Sequence, residues 1–205
     1  MWRWQTMVVI AVALLALSGC STQVEGTAHR SQDPSAAAAV PTVVVLDASE
    51  SMTTDDAPGP RWTAAKTATQ ALVDSLPAGT RFGLVVFGAD TPWQNAPEAQ
   101  ACADVKVVLP LGAVDAAGLA AALDGIVPQG RTPIGTALQQ GAQLLPDTES
   151  SLVLISDGES NCAPDLCETA ESIRTAKPDM RISAVGLRTD APSLNCVADR
   201  AAASS

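Results

Sequence analysis

The chain has no tyrosine, only two phenylalanines and one histidine among its 205 residues. With 47% hydrophobic residues it can still bury a sizeable core, but that core must be packed from Ala, Val, Leu and Ile. Such a composition excludes wholesale disorder. The lone His29 lies in a polar, low-complexity stretch, which argues against a serine or cysteine hydrolase built on a histidine base. Basic residues are scarce as well. Twelve Lys and Arg against 22 Asp and Glu leave a formal charge of -10, which repels phosphate backbones and excludes nucleic acid as an ordinary partner. Phosphate-cradling glycine loops, the G-x-S-x-G elbow and the Rossmann glycine fingerprint are all missing. The most apolar run, Met7 to Leu17, is too short to span a bilayer comfortably.

That run has a positive start at Arg3 and closes in Leu17-Ser18-Gly19-Cys20, the organisation of an export signal. The four closing residues resemble the lipobox of bacterial lipoproteins. The resemblance implies a signal peptide over 1–19, cleavage before Cys20, and a diacylglycerol on the Cys20 sulfur with a further acyl group such as palmitate. The expected location is the cell membrane, lipid-anchored at its extracytoplasmic face; more than one acyl chain suffices for stable anchoring. Cleavage would remove Arg3 alone among the charged residues, leaving -11. Residues 20–41, rich in Ser, Thr, Gln, Ala and Pro, read as a flexible tether of roughly 25 Å mean reach.

From residue 42 to 205 the chain reads as one domain. Thr42 to Leu46, Phe82 to Phe87, Leu152 to Ile155 and Ile182 to Leu187 are short, β-branched apolar runs suited to strands covered on both faces. Val107 to Leu109, followed by Pro110, suits an edge strand. Helices are expected after Pro60, through Trp62, Ala65, Thr69, Leu72 and Leu76, and after a cap at Asp115, through Leu119, Ala122, Leu123 and Ile126. Two more are expected over Pro133 to Leu145 and near Pro164 to Ala176. The alternation predicts an α/β fold: a doubly wound, mostly parallel sheet with helices on both faces.

Ligands of such sheets bind at the carboxyl ends of the strands. The first strand ends in Asp47-Ala48-Ser49-Glu50-Ser51, a later loop reads Gly130-Arg131-Thr132-Pro133, and the fourth core strand ends in Ser156-Asp157-Gly158. Asp47, Ser49, Ser51, Thr132 and Asp157 are hard oxygen donors, the set that Mg²⁺ or Mn²⁺ prefers. At these residues the chain resembles the von Willebrand factor A (vWA) domain family: D-x-S-x-S at 47 to 51, the threonine at 132 and the aspartate at 157 match its metal-ion-dependent adhesion site, the MIDAS. The resemblance implies the Rossmann-like vWA fold, a metal held by those five residues, and a protein or cell-envelope ligand that supplies a carboxylate to the open position. It points to a binding module and not an enzyme. Two other readings stand beside it: a Mg²⁺-dependent phosphatase-like enzyme with Asp47 as nucleophile, for which Ser49 occupies the position of the needed second carboxylate, and a structural domain whose metal only stabilises loops.

Each donor also has an ordinary role open to it. Thr132 before Pro133 is a good helix N-cap, and the serines and Asp157-Gly158 could satisfy a loop or turn. Glu50, Asp55, Asp56 and Glu159 read as solvated surface charge. Four cysteines beyond Cys20 suggest two disulfides in an exported protein, with Cys162 to Cys167 closing a small loop and Cys102 pairing with Cys196. Against the family pattern the C-terminus reads as short, with a sixth strand and final helix missing. The strand at 182 to 187 is then an exposed edge, and marginal stability or edge pairing is expected.

Overall fold

The computed structural model describes residues 39–57, 59–113, 116–158, 160–187 and 192–198. Cys20, His29, Asp115 and Glu159 lie outside the described residues, as do the signal segment and the tether up to residue 38. A five-stranded sheet runs in the order β5-β4-β1-β6-β7. Its parallel core is β4 (Phe82–Phe87), β1 (Thr42–Asp47), β6 (Ser150–Ser156) and β7 (Met180–Gly186), and β5 (Val105–Gly112) closes one edge antiparallel to β4. Pro110 is exposed on β5, where a missing N–H costs no ladder bond. At the opposite edge is β7, the edge position that the comparison with the family pattern led us to expect.

β1 is buried along its whole length, and its period of two divides the core between the two faces of the sheet. Val43 and Val45 face α4 (Ile134–Leu144), α5 (Leu166–Ala176) and α6 (Pro192–Ala198), where Ile134, Leu138, Leu166, Ala170 and Val197 are buried. Val44 and Leu46 face the other layer, α1 (Arg61–Ser75) and α3 (Ala116–Asp124), through Ala65, Leu119 and Leu123. Because Phe82 and Phe87 are the only phenylalanines, nearly all of this packing is aliphatic.

Three elements had no apolar period to announce them: a two-stranded ribbon of β2 (Asp55–Ala57) and β3 (Gly59–Pro60), the short α2 (Glu98–Ala101), and α6. One boundary also departs from expectation. Helix α4 opens at Ile134 with Pro133 at the N-cap, so Thr132 stands one residue before the cap and its hydroxyl has no capping duty.

Helix α4 meets the loop after β6 at Gly135, where a Cβ would overlap the Pro164 carbonyl oxygen and lie 3.0 Å from its ring. Gly135→Ala should therefore destabilise the fold by about 2 kcal/mol through overpacking, outweighing a helix-propensity gain of about 1 kcal/mol. Urea denaturation of both chains would measure it, and a more stable variant would refute this account of the contact.

Candidate metal centre

The chain runs out from β1 to one side of the sheet through α1 and β4, and later returns to the other side in β6. The carboxyl ends of β1 and β6 thus flank the reversal point at which doubly wound sheets bind ligands. Asp47 is the last residue of β1 and is fully buried. Its Oδ1 accepts a hydrogen bond from the Ser49 backbone N–H at 2.7 Å, and its Oδ2 accepts one from the Ser156 hydroxyl at 2.6 Å. The first bond bends the chain into a 3-10 turn over Glu50–Thr53, which brings the hydroxyls of Ser49 and Ser51 to 3.1 Å from each other. Ser51 in turn donates to Asp157 Oδ1 at 3.0 Å, so two strand ends become one polar cluster.

Thr132 arrives from a third loop, held by close backbone approach. A Cβ on Gly130 would lie 2.7 Å from the Gly88 Cα; one on Gly88, whose φ is 73°, would lie 2.6 Å from the Arg131 carbonyl oxygen and 2.9 Å from Ser49. Only glycine fits at these two positions. The Glu50 N–H donates to the Gly130 carbonyl at 3.0 Å, and Gly130 N–H donates to the Gly88 carbonyl at 2.8 Å. Asn161 fixes Thr132 from the other side: its Oδ1 accepts from Thr132 N–H at 2.9 Å, and Ser160 donates to the Thr132 carbonyl at 3.0 Å. Ser49, Ser51 and Thr132 line one open cleft of about 280 Å³, together with Glu50, Trp93, Gly130, Arg131 and Asn161. All five residues singled out in the sequence therefore converge, Asp47 and Asp157 through hydrogen bonds to its walls.

Sequence reading missed Arg61. Its guanidinium donates to Asp157 Oδ2 at 2.6 Å and forms a two-pronged pair with Asp56 at 2.8 and 2.7 Å. Asp56, then Asp157, hold the guanidinium protonated more firmly than usual. Asp56 is thus more than solvated charge: it orients the arginine that compensates the buried Asp157. Nothing in the local pattern marks this role, because the contact joins positions 96 residues apart. Ser156 and Asn161 were likewise invisible as partners.

The disulfides correct the expected pairing. Cys102 bonds to Cys162 and Cys167 to Cys196, with Cα separations of 5.6 and 5.7 Å, in place of Cys162 with Cys167 and Cys102 with Cys196. Spacing alone suggested a small loop, but α5 begins between the two cysteines and carries Cys167 towards α6. Cys162 is left buried beside the chain that follows α2. The first bridge therefore staples the segment before β5 to the loop of Asn161.

No group of three His, Cys, Asp or Glu side chains that could hold a metal occurs among the described residues. Any ion here must be one that accepts hydroxyl oxygens beside two carboxylates, a hard divalent cation. A profile of the von Willebrand factor type A domain matches residues 42–159, more than half of the chain. The chain belongs to the von Willebrand factor type A domain family. It is 29% identical over 147 residues to the uncharacterized protein YwmC of Bacillus subtilis (strain 168), a match covering 70% of this chain and 64% of that one. Among solved structures it resembles proximal thread matrix protein 1 of the mussel byssus at 22% identity and a TM-score of 0.58, covering 78% of this chain and 41% of the other. A second structure of that mussel protein, with a zinc-occupied MIDAS motif, aligns at 21% identity and a TM-score of 0.57 over 78% of this chain and 41% of that one. The manganese-loaded TRAP protein of Plasmodium vivax aligns at 15% identity and a TM-score of 0.56, covering 78% of this chain and 63% of that one. At these identities the structural likeness concerns the vWA fold.

Within this vWA domain Asp47 is the strained member. Burial above all, and then the nearby Asp157 carboxylate, push its pKa up to about 6 from an ordinary 3.8, against hydrogen bonds from Ser156 and Ser49 that favour the charge. No basic side chain pairs with it among the described residues. Between those two pH values the folded chain holds more protons than the unfolded one, so stability falls as pH rises through the window and stays reduced above it. Asp47→Asn keeps the size and an acceptor while removing the charge. In chelator it should be more stable than the wild type at pH 7.5 by on the order of 2–3 kcal/mol, with the gap closing towards pH 4 in parallel urea titrations. A pH-independent gap would contradict the burial account.

Proposed function

We propose that this vWA domain is a metal-dependent binding module, anchored to the outer face of the cell membrane through Cys20, that docks a carboxylate of a partner protein or envelope polymer on a divalent cation. The observation that carries it is the buried charge of Asp47, with no basic partner among the described residues, within a cluster of oxygen donors. A cation there would relieve the cost of that charge, held by Asp47, Ser49, Ser51, Thr132 and Asp157 directly or through water. Bound Mg²⁺ or Mn²⁺ would supply a Lewis-acidic open position for an anion. The domain's own residues leave such an ion under-neutralised, since Asp157 is already matched by Arg61. Zinc in the mussel MIDAS and manganese on TRAP support a divalent ion at this site. Ser49, engaged with Ser51, speaks against the phosphatase-like reading, which with Asp47 as nucleophile needs a carboxylic acid two residues later.

Calorimetric titration with Mg²⁺ and Mn²⁺ should show saturable binding to the wild type and none to Asp47→Asn. Thr132→Ala should weaken cation binding and partner capture without shifting the urea midpoint, because Thr132 caps no helix. Affinity capture from envelope extracts, with and without chelator, tests the docking role. Capture that survives chelator would leave the ion a purely stabilising part, and Mg²⁺-dependent phosphatase activity lost in Asp47→Asn would favour the enzyme reading. The anchor has its own test: Cys20→Ser should block lipid attachment and release the chain from membranes, and a wild-type chain with an unmodified N-terminus would refute it.

A further inference from the structure

The cleft lined by Ser49, Ser51 and Thr132 is also lined by Arg131, the residue directly before Thr132. Its Nε is buried and has no hydrogen-bond partner, and among the described residues no carboxylate pairs with its guanidinium. The other arginine of the site, Arg61, is fully matched by Asp56 and Asp157, so the contrast lies within one site. A ligand cannot reach that buried Nε, but it can reach the terminal N–H groups, which no carboxylate occupies among the described residues. The planar fork of Arg131 fits a carboxylate with two parallel bonds. Its backbone is not adaptable: Gly130 and the Arg131 carbonyl are packed against Gly88.

Trp93 lines the same cleft and is 43% exposed, one of only three large hydrophobic side chains so exposed among the described residues. It is deliberately placed. Asp104 Oδ2 accepts from the N–H groups of Asp90 and Thr91 at 2.9 and 2.8 Å, which folds the loop after β4, and Trp93 N–H donates to the Gln129 carbonyl at 3.0 Å. An exposed aromatic beside an unmatched arginine is the composition of an interface hot spot.

We propose that this cleft receives an acidic peptide segment of a partner protein by two carboxylates at once, the cation taking one and Arg131 the other, with Trp93 packing against the aliphatic part of the segment. The proposal rests on the metal reading above and adds the ligand class: a segment with at least two neighbouring Asp or Glu residues. Charge complementarity carries it. On a chain of net charge -10 a polyacid is repelled everywhere except where positive charge is concentrated, and the cation with Arg131 forms such a place. Glu50 also lines the cleft and opposes any anionic ligand, so the cation and Arg131 have to outweigh its repulsion.

The test uses the full chain and two capped decapeptides, one of ten glutamates and one with a single glutamate among glycines, titrated calorimetrically in saturating Mg²⁺. The cation titration is run first, so that failure of the metal site is seen separately; a wild type without saturable cation binding overturns both readings. With the ion bound, the wild type should prefer oligoglutamate by about tenfold or more. Arg131→Gln should bind Mg²⁺ as the wild type does but lose that preference, and Arg131→Lys should recover part of it. Glu50→Gln should bind oligoglutamate more tightly, and Arg181→Gln, which removes an equal charge from exposed β7, should change nothing. Undiminished preference in Arg131→Gln, with cation binding intact, overturns the proposal. So does a wild type that binds a poly(glycerol phosphate) oligomer more tightly than oligoglutamate.

Discussion

Everything at the site follows from the burial of one carboxylate. Asp47 sits at the end of a strand with no exposed residue, so its charge is shut off from water and is met by the Ser49 N–H and the Ser156 hydroxyl. A fold dominated by hydrophobic gain would place valine there. The hydrogen bonds from Ser49 and Ser156 lower the cost without removing it, which is why the group remains harder to ionise than an ordinary aspartate. The surrounding loops are arranged around that residual cost: hydroxyls on the cleft side, an arginine beside Asp157 and, among the described residues, no basic group paired with Asp47 itself.

The mostly parallel sheet with cover on both faces was legible because its cause is local. Runs such as Val43 to Leu46 are apolar at every position, which requires cover on both faces, and the helical spacings between them supply the cover. The five oxygen donors were legible for a related reason, since each ends or immediately follows a strand or precedes a helix, and the element order then brings those ends together. The ribbon of β2 and β3 could not be read, being too short to show a period. Arg61 could not be read either: its position on the first turn of α1 is ordinary, and its partnership with Asp157 joins the start of α1 to the loop after β6.

The cysteines mark the clearest limit of sequence reasoning. Four thiols have three pairings, and proximity along the chain favoured the short ring. Which pairing forms is decided by where α5 begins, and its start is set by Asp165, whose Oδ1 accepts from the N–H groups of Cys167 and Glu168 at 2.8 and 3.0 Å. That cap turns Cys167 onto the helix and away from Cys162. Arg174, farther along the same helix, donates to the carbonyls of Cys196 and Val197 at 3.1 and 2.8 Å and so holds the second bridge's other end in place.

The two covalent rings that result are consecutive along the chain, spanning 60 and 29 positions, where the expected pairing would have nested one ring inside the other. Consecutive rings close independently, and doubling the span adds only about 0.6 kcal/mol of closure entropy, so neither bridge has a strong thermodynamic claim to form first. Their products differ all the same. A half-oxidised chain with only the longer ring already encloses β5, α3, α4 and β6 and fastens the Asn161 loop across the cleft. One with only the shorter ring has joined α5 to α6 and left that rim to its hydrogen bonds.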